Sequence, residues 1–194
     1  MTMTKLVQAI TSRWSQNGII DKADEDIYNY GLQLILFTSL NFAVTSVTAI
    51  IVGRFRESTI LLATFIPIQA YGGGYHAKTH LRCFLTMYIG WWMAIFIALP
   101  ILNPTVATIA SIFALVVIFV LAPVPHINVR MSVQHRTKLR NRVRICALLF
   151  VLISLILIHF ISTYSYIGVT MVLGIALSAF SMLIAYAKNK INPG

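Results

Sequence analysis

The chain is poor in charge, poorer still in acid and nearly without cysteine, and each shortage removes a class of protein. Of its 194 residues only 10% are charged and five are acidic. A soluble domain draws roughly a quarter of its residues from Asp, Glu, Lys and Arg. With 58% hydrophobic residues and a mean hydropathy of +0.82, this one reads as an integral membrane protein. Four of the acidic residues, Asp21, Asp24, Glu25 and Asp26, sit together near the start, which leaves little material for acid–base catalysis by paired carboxylates. Two cysteines, Cys83 and Cys146, are too few for a disulfide framework, and no Cys/His cluster has the closed spacing of a zinc site. No phosphate loop or nucleotide fingerprint is present, so neither metal nor cofactor is expected. Repeats and low-complexity tracts are absent. The opening residues, broken by Lys5, Arg13 and the acidic cluster, lack the apolar core and small-residue cleavage site of a signal peptide, and no cleaved leader is expected.

What the sequence does have is long apolar runs. Residues 29–53, 84–102, 105–125, 145–162 and 166–187 each approach or exceed the ~20 residues that carry a helix across ~30 Å of hydrocarbon. The run 58–71 is weaker: it is short, contains Pro67 and ends in glycines, so it either spans with help from its flanks or dips in as a re-entrant segment. Ahead of these, Leu6, Val7, Ile10 and Trp14 share one helical face over residues 1–20, opposite Lys5, Gln8, Ser12 and Arg13. That pattern predicts an interfacial amphipathic helix. The acidic cluster after it reads as a solvated turn, with Asp24 a candidate start for the first span. The expected fold is all-α: a single domain over 1–194, a polytopic bundle of about six spanning helices, one of them short or re-entrant.

A net charge of +10 raises the question of nucleic acid, but the positions of the charges answer it. Arg130, Arg136, Lys138, Arg140, Arg142 and Arg144 lie in the connection 126–144, and Lys188 and Lys190 follow the last span. The connections near Asn103 and Ser162–Ser165 carry no basic residue. The positive-inside rule places the 126–144 loop and the C-terminal end in the cytoplasm, and Cys83 then falls at the cytoplasmic face. Six spans put the N-terminus in the cytoplasm as well, at the cost of Arg54 and Arg56 outside; five put it outside. The basic loop is a candidate for binding anionic headgroups.

One polar insert stands apart: Gly72-Gly73-Gly74-Tyr75-His76-Ala77-Lys78-Thr79-His80-Leu81-Arg82-Cys83. Lys78, Arg82 and a histidine give Cys83 electropositive surroundings of the kind that yield a reactive thiolate, a competent nucleophile toward a peptide carbonyl. On one straight helix His76 would stand ~10 Å along the axis from Cys83, beyond hydrogen-bond reach. Gly72, Gly73 and Gly74 are the means of turning the chain back. His80, three residues before the thiol, shares its helical face without such a turn, and spacing slightly prefers it.

Gly73-Gly74-Tyr75-His76-Ala77 followed by Cys83, the amphipathic start, the apolar layout and Ala122-Pro123-Val124-Pro125 leading into a basic loop together resemble the AgrB family, accessory gene regulator protein B. The resemblance covers nearly the whole chain. It implies a cysteine endopeptidase of the cell membrane in which His76 and Cys83 are the catalytic pair, His80 at most supporting. The substrate it implies is an AgrD-like propeptide, cleaved through a thioester to release a C-terminal tail and lead to a cyclic thiolactone or lactone used in quorum sensing. Family members often carry an arginine shortly before the glycines, where Gln69 stands here; Gln69 is a candidate oxyanion donor. Membrane lipids are expected partners and nucleic acid is not. Small residues such as Gly168, Gly174 and Ala176 allow a homodimer. Two other classes stay open on the residues alone: a small multi-spanning transporter whose segment 58–83 is a gate, and a membrane scaffold without chemistry. Of the other candidates, His159 reads as a helix–helix hydrogen bond, His126 and His135 as solvated, Cys146 as packing, and Trp91-Trp92 as packing or groove lining.

Overall fold

The computed structural model describes residues 3–75, 79–124 and 133–191, and no strand occurs among them. The helices are α1 (Met3–Gln16), α2 (Glu25–Ile51), α3 (Phe55–Gly72), α4 (His80–Trp92), α5 (Leu99–Ile101), α6 (Pro104–Leu121), α7 (Val133–His159) and α8 (Ser165–Ile191). A π-helical turn, Met93–Ala98, joins α4 to α5. It lies just before Pro100, which has no N–H to return to the carbonyl four residues back, so the helix is already weakened where it widens. Where the sequence reads as one domain, the packing groups into two compact units that divide within α2, one ending at Thr48 and the other beginning at Ala49.

In the first unit α1 buries Val7 and Thr11 while Leu6 stays exposed. Its inner face is therefore rotated from the one drawn through Leu6 and Trp14. The buried hydroxyl is accommodated because Thr11 Oγ1 donates to the Val7 carbonyl at 3.1 Å, a bond that stays within the helix. A 3-10 turn, Lys22–Asp24, precedes α2, so the first long helix opens at Glu25 rather than Asp24. Asp21, Asp24 and Asp26 are exposed. Glu25 is the exception, accepting from Ser12 Oγ at 2.6 Å.

The second unit is organised around α8. Of its most apolar window 61% is buried inside the protein, against 28% for α6 and for α7, because α3, α6 and α7 all pack on it. Such enclosure requires small residues at the crossings. A Cβ on Gly168 would stand 2.6 Å from the Ser154 carbonyl of α7, and one on Gly174 would run into Thr64 and stand 2.7 Å from the Leu61 carbonyl of α3. The glycines read as room for a second copy thus serve contacts within the chain. Pairings of Glu57 with Tyr166, Thr64 with Gly174, and Gln69 with Ser181 ascend in step along α3 and α8. The two helices are therefore parallel and end on the same face.

Among the described residues, five helices are long and apolar enough to cross a membrane: residues 22–51, 81–101, 104–121, 136–159 and 162–191. α3 is not among them, yet it runs unbroken through Pro67 for 18 residues, a length of about 27 Å. Its polar side chains lower its hydropathy, and they have partners in the bundle. Ser58 Oγ receives the Trp91 indole N–H at 3.0 Å, and Thr64 Oγ1 donates to the Leu61 carbonyl at 2.9 Å. Trp91, 3% exposed, packs as expected.

Arg54, the charge that six spans would leave outside, is paired. Its Nη1 lies 3.0 Å from Glu57 Oε1, and the same carboxylate oxygen accepts from the Tyr166 hydroxyl at 2.7 Å. Glu57 is 9% exposed, so it ties the start of α3 to the start of α8 in a setting where a lost partner is felt. Glu57→Ala strips the acceptor from Tyr166 and is expected to destabilise the protein by about 1–3 kcal/mol, read as a lowered Tm in detergent. An unchanged Tm would show that the pair is fully solvated.

Other sequence readings resolve here as well. His159 is the last residue of α7, exposed rather than deep in a span, and its Nε2 is 2.9 Å from Thr108 Oγ1 of α6; the helix–helix hydrogen bond is as expected. Cys146 packs against the core around Ile68 and Ile175. The stretch read as a loop over 126–144 is helical from Val133. Basic residues form helix as readily as apolar ones, so hydropathy locates a span but not the start of the helix that carries it.

Candidate active site

α3 stops at Gly72 and α4 starts at His80. Of the segment predicted to be catalytic, 71–83, residues 71–72 end one helix, 73–75 and 79 are non-helical and 80–83 begin another; residues 76–78 lie outside the described residues. Gly73 terminates α3 with φ 69° and ψ −170°, a region open essentially to glycine alone. Its N–H closes the helix on the Gln69 carbonyl at 3.0 Å. At the far side of the turn Thr79 caps α4: its Oγ1 accepts from Arg82 N at 3.3 Å and its carbonyl from Cys83 N at 3.0 Å. Cys83 therefore lies in the first turn of α4, partly exposed, at the helix end whose unpaired N–H groups favour negative charge. Thr79 itself is extended, with φ −128° and ψ 147°, so no single helix runs from α3 into α4.

Each glycine is enclosed by a different neighbour. A Cβ on Gly72 would strike the Met182 methyl of α8 and meet Val143 of α7 at 3.0 Å; on Gly73 it would strike the Val124 carbonyl; on Gly74 it would strike the Gln69 amide and meet Ser181 Oγ at 2.6 Å. The Gly72 carbonyl accepts from Val124 N at 2.9 Å. The Ala122–Val124 segment, part of the proline-containing motif before the basic stretch, is thereby an outer brace of the turn.

Gln69, the residue standing where an arginine was expected, faces the same turn. Its Nε2 donates to Ser181 Oγ at 2.8 Å, and Tyr75 N donates to the same oxygen at 3.0 Å. Its Oε1 is buried with no hydrogen-bond partner among the described residues. As oriented, the amide N–H is committed to Ser181, so Gln69 anchors the turn rather than offering its donor to an oxyanion.

The basic residues gather on the same face. Lys188 Nζ stands 4.9 Å from the centre of the Tyr75 ring, Arg142 5.9 Å from that of Tyr71, and Arg144 5.3 Å from that of Phe119 while donating to the Phe119 carbonyl at 2.7 Å. Arg136 and Lys138 are exposed on the opening turns of α7, and Arg140 is half-buried. Among the residues singled out from sequence, the structure brings together Gln69, Gly72, Gly73 and Gly74, and Cys83 lies on the first turn of α4. His80 opens α4. His76, His126 and Arg130 lie outside the described residues. Sequence reasoning missed Ser181 and Met182, and had Val124 only within the proline-containing motif that leads into the basic stretch. Ser181 is 112 residues from Gln69, and its one signal was a hydroxyl within an apolar run.

Neither a curated protein nor a solved structure matches the chain. The family model for accessory gene regulator B matches residues 4–186, nearly its full length, including the glycine turn and Cys83. With its all-α architecture and its membrane-length apolar helices, the chain belongs to the accessory gene regulator B (AgrB) family, membrane proteins of the accessory gene regulator system whose partner in general is an AgrD-related propeptide.

Proposed function

We propose that this protein is a cysteine endopeptidase that cleaves an AgrD-like propeptide, with Cys83 as nucleophile and His76 as its base. The observation that supports the reading is that α3 ends at Gly72 and α4 starts at His80 after an extended Thr79, with Cys83 on its first turn.

The chemistry follows from those groups. His76 takes the thiol proton and the Cys83 sulfur attacks the scissile carbonyl. The tetrahedral intermediate then collapses as the imidazolium returns the proton to the leaving amine, the C-terminal tail departs, and the N-terminal part remains as a thioester. A Cys thiol or Ser hydroxyl within that part attacks the thioester carbonyl, closing a thiolactone or lactone and restoring the Cys83 thiol. Apolar helices around the turn favour this outcome over hydrolysis by limiting water at the acyl-enzyme.

The face that bears the turn also bears Arg136, Lys138, Arg140, Arg142, Arg144, Lys188 and Lys190. By the positive-inside rule this face is cytoplasmic, where a thiol stays reduced. Arg130, Arg136, Lys138 and Arg140 bind either the departing tail or anionic headgroups. The transporter alternative, with the segment 58–83 as a gate, is separated from this reading by Cys83→Ala, which a transporter would tolerate.

Incubating the protein with a propeptide whose internal nucleophile is replaced by Ala is expected to trap the acyl-enzyme. The adduct should carry the N-terminal part of the propeptide, be released by neutral hydroxylamine as a thioester is, and be absent from Cys83→Ala. An adduct of equal yield in Cys83→Ala would sink the assignment.

A further inference from the structure

We propose that Ser181 is a positioning residue for the reaction, its hydroxyl oxygen fixing where the chain leaves the glycine turn toward His76. This rests on the peptidase reading above.

Elsewhere on α8, Thr170 Oγ1 donates to the Tyr166 carbonyl of its own helix at 2.8 Å, Ser178 Oγ lies 3.0 Å from the Gly174 carbonyl and 3.5 Å from the Phe65 carbonyl of α3, and the Tyr166 hydroxyl donates to Glu57 at 2.7 Å. These hydroxyls act as donors that satisfy a polar group in an apolar helix. Ser181 is set apart by its oxygen, which accepts from both sides of the glycines. Its oxygen accepts from the Gln69 side chain of α3 and from the backbone N–H of Tyr75, so one atom joins the helix before the turn to the residue that precedes His76. The arrangement has no slack, since a Cβ on Gly74 would collide with the Gln69 amide. Gln69 Oε1 is already buried without a partner among the described residues, so removing the Ser181 hydroxyl takes from the amide, and from the Tyr75 N–H, the bonds they make to it. Because Tyr75 is covalently joined to His76, a shift of its amide is carried to the base, and a displacement of about 1 Å at a reacting group costs on the order of 100-fold in rate.

The test uses full-length protein in lipid nanodiscs in a Cys146→Ala background, so that Cys83 is the one thiol observed. Single-turnover cleavage of propeptide and the pH profile of Cys83 alkylation by iodoacetamide are measured for the parent, Ser181→Ala, Ser181→Thr and Gly74→Ala. The expected result is a loss of about 10–100-fold in the cleavage rate constant for Ser181→Ala, with propeptide half-saturation unchanged. Its alkylation profile should shift to match that of His76→Ala. Ser181→Thr should restore both readouts, and Gly74→Ala should reproduce the defect. A lowered Tm with parental rate and profile in the folded fraction would mean that Ser181 is only structural and would overturn the inference. No cleavage by the parent, or undiminished cleavage by Cys83→Ala, overturns the peptidase reading itself and this inference with it.

Discussion

Cys83→Ala is expected to lower propeptide processing by roughly ten-thousand-fold or more, the scale of loss when a covalent nucleophile is removed, while leaving Tm nearly unchanged. The two expectations are linked by location. Cys83 is partly exposed on the first turn of α4, and the Thr79 cap that starts the helix uses backbone groups and the Thr79 hydroxyl, none of which the substitution touches. His76→Ala should match this loss and His80→Ala should keep most of the activity. The second comparison is the sharper one, because His80 and Cys83 lie three apart within α4, a spacing at which side chains share a face. Loss in His80→Ala with activity retained in His76→Ala would reverse the assignment of the base. A transporter or scaffold would tolerate all three changes, so quantitative immunoblotting of cleaved and uncleaved propeptide separates the classes.

The next largest effect is expected at Gly73. Alanine there must adopt φ 69° with ψ −170°, which costs about 1–3 kcal/mol, and its Cβ must displace the Val124 carbonyl. The turn cannot relax toward α3, where Gly72 is held against Met182, nor easily toward Tyr75, where Gly74 is held against Gln69. The strain is confined to the end of a helix, so it distorts the site before it unfolds the bundle. Processing by Gly73→Ala should fall at least 10–100-fold, since each 1.4 kcal/mol is a factor of ten, with a modest drop in Tm. Gly31→Ala is the control. Gly31 lies within α2, and a Cβ there meets nothing within 4 Å, so activity and Tm should hold. Equal behaviour of the two variants would show that the backbone of the turn is not a constraint on catalysis.

These expectations depend on features of unequal legibility. The all-α membrane architecture was written in the composition, because apolar runs of span length have few other uses. The break before Cys83 was legible too, since three consecutive glycines between apolar runs are costly in a helix and useful in a turn. Helix limits were less so: α7 begins at Val133, well before the apolar run that announced it. What completes the site was hidden. Ser181, Val124 and Met182 reach the turn from remote parts of the chain, and nothing in a serine or methionine of an apolar run says which other helix it meets. The role of Gln69 changed for the same reason. Its amide was assignable to an oxyanion only while its neighbour on α8 was unknown. Arg54, which counted against six spans as a bare charge, is explained by Glu57 and Tyr166, a pairing that required the parallel course of α3 and α8.

That parallel course bears on biogenesis. The glycine turn is translated early, yet Ser181 and Met182, which hold it from one side, emerge from the ribosome more than a hundred residues later. Until α8 threads between α3, α6 and α7, Gly72 and Gly74 face no partner from that helix and the Tyr75 N–H lacks its acceptor. A nascent chain with Cys83 already outside the ribosome therefore carries an unbraced turn. The turn before Cys83 is thus among the last parts of the bundle to be completed, although it is among the first to be made.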